Sequence, residues 1–286
     1  MMNLISAGVL QASPGPRVAM GGQTQTGPRV QYEQPGQPGD SVLILPSTSH
    51  IIAPASLIGA PHLILPRGVD GAVAAGVARS PGVLVLLRHG QSVSNLEKRF
   101  TGSLNAPLTD LGRRQAVAAG KAMGLNGLQF DVVFTSDLDR AQDTGLLALD
   151  GMGQHGTVVI ADAALNERFY GDIQGEKRDE MAEKFGAEQM AKWRHDYYEK
   201  PPGGESIAET ADRVMPYYEH NIKPLLAAGY NVLIAAHCDS LRPFLVQLEG
   251  ISVHDEASYF LNATPLIYHY DHNMNVVSRD IIHPET

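Results

Sequence analysis

Val83-Leu-Val-Leu-Leu-Arg-His-Gly90 is the stretch on which the fold turns. An unbroken apolar run of this length reads as a strand covered on both faces, and it carries Arg88 and His89 out at its carboxyl end. Val232-Leu-Ile-Ala-Ala236 repeats the pattern and delivers His237. Shorter runs at 132–134, 158–160 and 266–270 read as further strands, with helical patterns between them. This alternation predicts an α/β domain: a mostly parallel sheet flanked by helices. Thr109 is placed to cap a helix reaching about Met123, and Ser136 with Asp139 and Ser206 with Glu209 have capping-box spacing. A helix start is expected at Asp239 or Ser240, and Pro216 and Pro224 predict a kinked or interrupted helix.

Upstream of this region the texture differs. Residues 1–82 are rich in Gly, Pro, Gln and Ser and lack a sustained 3.6-residue apolar pattern, so they are expected to form a disordered or loosely packed extension, with residues 83–286 as the catalytic domain. Two short echoes, Gly-Pro-Arg-Val at 15–18 and 27–30 and Leu-Ile-Leu-Pro at 43–46 and 63–66, are too few and too short for a repeat architecture.

The 286 residues are 43% hydrophobic, enough for a sizeable core, and carry a net charge of −9, which argues against nucleic acid as a partner. An anionic substrate therefore needs a locally basic pocket. One cysteine, Cys238, permits no intrachain disulfide, and the expected address is cytoplasmic. The apolar stretch at 42–66 is broken by Pro46, Pro54, Pro61 and Pro66, short of the roughly 18 unbroken residues of a membrane span. Monomer, dimer and homo-oligomers of higher order all fit the sequence.

In open α/β sheets ligands bind beyond the carboxyl ends of strands, where His89 and His237 are expected to meet. A neutral imidazole is a good nucleophile toward phosphorus, and phosphoryl transfer needs fixed cationic donors, for which Arg88 and Arg140 are candidates. Gly151-Met-Gly-Gln-His-Gly156 fits GxGxxG but follows a predicted helix, the reverse of a dinucleotide-binding context, and reads as a loop. His269 and His272 have ligand-like spacing without a third ligand, so no metal is expected.

Taken together, Leu84-Val-Leu-Leu-Arg-His-Gly-Gln-Ser92, Asn95, Phe100-Thr-Gly102, Thr135-Ser-Asp-Leu-Asp-Arg-Ala141, Leu165-Asn-Glu-Arg168, Tyr170-Gly171 and Pro201-Pro-Gly-Gly-Glu-Ser206 resemble the cofactor-dependent phosphoglycerate mutases of the histidine phosphatase superfamily. The resemblance spans roughly residues 83–270. It implies interconversion of 3- and 2-phosphoglycerate in glycolysis and gluconeogenesis, primed by 2,3-bisphosphoglycerate. His89 is then the phosphorylated nucleophile and Glu167 the acid/base. Arg88, Asn95, Arg140 and His237 surround the phosphoryl group, and Thr101, Gly102, Arg168, Tyr170, Arg178 and Arg194 hold the rest of the substrate. The alternatives are a phosphatase releasing the same phosphohistidine to water, and a non-catalytic phosphoester-binding protein.

Several pocket positions depart from the family pattern. Arg178 stands for a lysine and His195 for the second of two arginines. The family's His-Gly-Asn-Ser reads His237-Cys-Asp-Ser240. An anion at Asp239 would repel a phosphate unless protonated or turned aside, and Cys238 in place of glycine implies either ordinary torsions or a remodelled turn.

Overall fold

In the computed structural model, residues 51–54, 80–252 and 260–285 are described; side chains are described only from residue 80 onward. The elements in chain order are β1 (Ile51–Pro54), β2 (Leu84–Arg88), α1 (Val93–Leu96), α2 (Asp110–Leu125), β3 (Val132–Thr135), α3 (Asp139–Met152), β4 (Val158–Ala161), α4 (Arg178–Phe185), α5 (Ala187–His195), α6 (Ile207–Tyr217), α7 (Lys223–Ala227), β5 (Val232–Ala236), α8 (Cys238–Glu249), β6 (Leu266–Tyr270) and β7 (Val276–Ile281). They build one sheet in the order β1-β4-β3-β5-β2-β6-β7. The first five strands of that order are parallel, and β6 and β7 add antiparallel at one edge.

Alternation along the strands explains why β2, β3 and β5 are apolar without a break. Leu84, Leu86, Val132, Phe134, Val232 and Ile234 point to the face covered by Val214 of α6 and by Leu241 and Phe244 of α8. Val85, Leu87, Val133 and Leu233 point to the other, covered by Ala119 and Met123 of α2 and Ala148 and Leu149 of α3. A third cluster of Phe100, Ile173, Met181, Met190 and Trp193 packs α4 and α5 beside the carboxyl ends of the strands. No helix among the described residues is long and apolar enough to cross a membrane.

Thr109 caps α2 by accepting the Gly112 N–H, and Ser206 with Glu209 forms the expected capping box on α6. A π-helical turn over Tyr218–Ile222 interrupts the helix after Pro216, as the prolines predict. Gly151-to-Gly156 closes α3 and loops into β4, with Gly153 as its left-handed cap.

Three expectations need correction, and one strand, β7, was not anticipated. Ser136 does not cap α3: the cap residue is Leu138, with no side-chain bond, and the Ser136 hydroxyl, two residues earlier, accepts the Leu138 N–H and contacts His237. α8 begins at Cys238, one residue before the expected start. β7, with one side chain half-buried and five exposed, has no apolar alternation to betray it. Residues 51–54 of the predicted extension pair in parallel with β4. The remaining expectations for 1–79, both sequence echoes included, lie outside the described residues.

Candidate active site

β2 and β5 are neighbours in register, Arg88 opposite Ala236, so their carboxyl ends place His89 and His237 side by side with ring centroids 5.2 Å apart. The His89 main-chain N–H donates to the Ala236 carbonyl at 2.9 Å. Gly90 is required behind it: a Cβ there would lie 2.2 Å from the Gly112 carbonyl oxygen of α2. Both imidazoles are buried, and burial first, then Arg140, holds each well below the ordinary histidine pKa, so both are neutral.

The tautomers follow from their partners. His89 Nδ1 lies 2.7 Å from the Gly90 carbonyl, which only accepts, so Nδ1 carries the hydrogen and Nε2 keeps the lone pair. His237 Nε2 lies 2.7 Å from Ser136 Oγ, which already accepts the Leu138 N–H. With Ser136 donating its hydrogen to Nε2, His237 carries its own on Nδ1, a buried atom with no partner among the described residues.

Arg140 is fully buried, its fork donating to the Leu104 carbonyl at 2.7 Å and the Gly102 carbonyl at 2.8 Å. Gly102 turns its carbonyl there with a φ of +52°, and a Cβ would strike the Gln174 side chain. Burial lowers the Arg140 guanidinium to about 10, still charged at neutral pH. Arg88 Nη1 donates to the Phe260 carbonyl at 2.9 Å. Nε of Arg88, Arg140 and Arg178 are all buried donors without a partner among the described residues.

These side chains surround a cavity of about 200 Å³. Arg88, His89, Asn95, Thr101, Gly102, Arg140, Glu167, Tyr170, Arg178 and Arg194 line it, ten of the twelve residues expected at the site. The other two sit behind it. His237 reaches only the buried face of His89, and Arg168, fully buried, holds Asp239 rather than facing the space. Asn95 accepts the Ser92 N–H on its carboxamide oxygen, which leaves its NH2 for a ligand.

Glu167 Oε1 accepts two main-chain N–H groups, Arg168 at 3.0 Å and Asp239 at 3.1 Å. Burial first and the Asp239 carboxylate second raise its pKa, against the pull of Arg140 and Arg88. The loop carrying Glu167 is held by Arg213 of α6, which donates to the Ala164, Asn166 and Glu167 carbonyls. Glu205, from the Pro-Pro-Gly-Gly-Glu-Ser segment, accepts from Arg213 and from the Phe169 N–H. That motif therefore acts by fixing the Glu167 loop.

Asp239 is turned aside, as one of the two sequence alternatives required: Oδ2 accepts from Arg168 Nε at 2.8 Å and from the Tyr170 hydroxyl at 2.9 Å. Burial alone would raise its carboxyl, but Arg168 and these hydrogen bonds hold it below the ordinary range. Cys238 has ordinary torsions at the start of α8, and burial pushes its thiol up to about 12, so it is a poor nucleophile.

Sequence reasoning missed the residues that act through main-chain contacts. Asn262 Nδ2 donates to the His89 carbonyl at 2.7 Å, and the Ala263 N–H donates to the Arg88 carbonyl at 2.9 Å.

Among the cavity-lining residues, the unpartnered buried Nε donors of Arg88, Arg140 and Arg178 suit a ligand rich in anionic oxygen. A bisphosphorylated primer fits this donor set, with Arg88 and Arg140 beside His89 and Arg178 next to Arg194, the charge that most lowers it after burial.

Residues 84–279 match the model of the histidine phosphatase superfamily, branch 1. The chain is 46% identical over 202 residues to a 2,3-bisphosphoglycerate-dependent phosphoglycerate mutase of Allorhizobium ampelinum, covering 70% of this chain and 96% of that one. It is 44% identical over 205 residues to the enzyme of the same name from Parvibaculum lavamentivorans, covering 71% and 97%. Among solved structures, a mycobacterial glucosyl-3-phosphoglycerate phosphatase superposes with a TM-score of 0.59 at 30% identity, over 72% of this chain and all of that one. The chain therefore belongs to branch 1 of the histidine phosphatase superfamily and, within it, to the 2,3-bisphosphoglycerate-dependent phosphoglycerate mutases.

Proposed function

We propose that this chain interconverts 3- and 2-phosphoglycerate, with the phosphoryl group carried on His89 and the hydroxyl proton on Glu167. The observation that carries the reading is the cavity's double cationic lining. Arg88 and Arg140 flank a neutral nucleophile, while Arg178 and Arg194 supply charge for a second anionic group, which a simple phosphomonoester hydrolase does not need.

His89 attacks phosphorus through Nε2, its lone pair exposed because Nδ1–H is tied to Gly90. The charge that builds on the equatorial oxygens meets Arg88, Arg140 and the Asn95 amide, donors fixed on the cavity wall before the reaction begins. Glu167 gives a proton to the leaving oxygen and takes one from the incoming hydroxyl, a role suited to a carboxyl raised toward neutrality. When bound, 2,3-bisphosphoglycerate supplies the phosphoryl group that first loads His89. The step belongs in the cytoplasm, consistent with the single, inert cysteine.

A phosphatase is the second reading, favoured by the loss of an arginine at His195 and by the fold shared with a phosphatase at 30% identity. Phosphorus NMR of the protein with 3-phosphoglycerate and a trace of 2,3-bisphosphoglycerate separates the two. Growth of 2-phosphoglycerate without inorganic phosphate is expected; accumulation of inorganic phosphate in its place would make the protein a phosphatase.

A further inference from the structure

Asp239 sits where the family pattern has an amide, in the first turn of α8 and on the cavity wall, 5% exposed. Its Oδ2 takes the two bonds from Arg168 and Tyr170, and Arg168 Nη2 donates to the Tyr170 hydroxyl at 3.0 Å, closing a triangle. The Arg168 guanidinium lies 4.5 Å from the Tyr170 ring centroid, so the anchor is rigid. At the same residue, the main-chain N–H of Asp239 is bonded to Glu167 Oε1 at 3.1 Å. One residue thus holds Glu167 by its backbone and fixes a full negative charge near it by its side chain.

We propose that Asp239 is a positioning residue governing the proton on Glu167: its anchored carboxylate keeps Glu167 protonated at a pH where an asparagine would let the proton go. This rests on the reading of Glu167 as the acid/base. In transfer from phosphorylated His89 to the substrate, the N–P bond breaks and its electron pair returns to Nε2. The O–P bond forms, and the hydroxyl proton passes to Glu167. That direction needs Glu167 ionised, so its titration sets the acid limb of the transfer rate.

The groups facing Glu167 are Asp239 and Cys238 from α8, Arg140 from α3, Arg88 and the neutral His89 from the end of β2, Arg213 from α6 against its main-chain carbonyl, and Arg168 and Tyr170 from its own loop. Among the charges around Glu167, the Asp239 carboxylate has the largest effect, second only to burial itself. Arg168 tempers that charge; an uncharged residue at 239 would leave Arg168 unopposed, which moves Glu167 in the same downward direction.

The test uses the full chain, loaded on His89 with labelled 2,3-bisphosphoglycerate, freed of excess label and mixed with 3-phosphoglycerate in single-turnover quench across acid and neutral pH. In Asp239→Asn the acid limb moves down by about one pH unit, so that below the wild-type limb the variant transfers about tenfold faster. The substrate phosphate titrates alike in both proteins and cancels. Asp239→Glu, which restores the charge, returns the limb toward its original place. Asp239→Ser, smaller and equally uncharged, replaces the asparagine variant should that one not fold. A limb that stays put or moves up in the uncharged variants, while the phosphoenzyme forms normally, overturns the role of Asp239 alone. Absence of an acid-labile, alkali-stable adduct in the wild type overturns the phosphohistidine reading and this inference with it.

Discussion

Replacing Arg140 by lysine keeps a positive charge and removes a shape, and the structure says what that costs. The guanidinium fork spans two carbonyls, Leu104 and Gly102, while Nε remains for a ligand. A single ammonium can serve one of those acceptors. Leaving the other buried carbonyl without its donor costs about 1–3 kcal/mol, which a urea titration reads as a lower midpoint at an unchanged slope. Loss of one preorganised donor at developing charge costs about 100- to 1000-fold in rate, about 3–4 kcal/mol. Because Arg140 stays charged at neutral pH, with its pKa near 10, the wild-type rate does not depend on a partly neutral arginine, and geometry alone separates the two proteins. The assay is the rate of His89 phosphorylation by 2,3-bisphosphoglycerate, measured by quench at saturating donor. A lysine variant within about threefold of wild type would refute the claim that the fork, rather than the charge, does the work.

Three further outcomes follow from the same contacts. His89 and His237 are held neutral by burial, so an unfolded chain takes up protons near pH ~6.5 that the folded one refuses; stability falls as pH drops below that value, and the His89→Asn/His237→Asn double variant shows a shallower loss in thermal melts. Cys238, with its thiol raised to about 12, resists alkylation at neutral pH in the native protein and reacts fully after denaturation; native labelling at the rate of a free thiol would contradict its placement. Asn262→Ala removes the bond to the His89 carbonyl and slows phosphorylation about tenfold with little change in KM, the value of one hydrogen bond of about 1–1.5 kcal/mol. A rate left at wild-type level would mean that the Ala263 contact with Arg88 suffices.

The strands that make the site were legible because both faces of β2 and β5 are covered, which writes the burial directly into an unbroken apolar run. β7 was not, since an edge strand with five of six residues exposed obeys no pattern that burial imposes. His89, Glu167, Arg88 and Arg140 were named because each sits inside a local motif that the family resemblance covers. Asn262 and Arg213 escaped because their chemistry is a side chain reaching a carbonyl 173 and 46 to 49 residues away, and a carbonyl has no sequence identity to search for.

Ser136 and Asp239 show how far local rules reach. The capping-box spacing at Ser136 is a correct statement about what a hydroxyl can do at a helix start, but α3 starts two residues later than that spacing requires: the oxygen accepts the Leu138 N–H while its hydrogen serves a buried histidine 101 residues away. The sign of Asp239 was equally plain, and a bare anion beside a phosphate site would be disruptive. Arg168, 71 residues earlier, converts that anion into half of a buried ion pair, and removing one partner of such a pair costs far more than replacing both. Asp239 and Arg168 therefore have to change together: Asp239→Asn alone strands a buried guanidinium, whereas substituting both with an uncharged, size-matched pair should recover most of the lost stability without restoring the charge beside Glu167. Stability and proton affinity at this site are separable for that reason, and a protein that regains its melting temperature while keeping a shifted pH profile is the expected result.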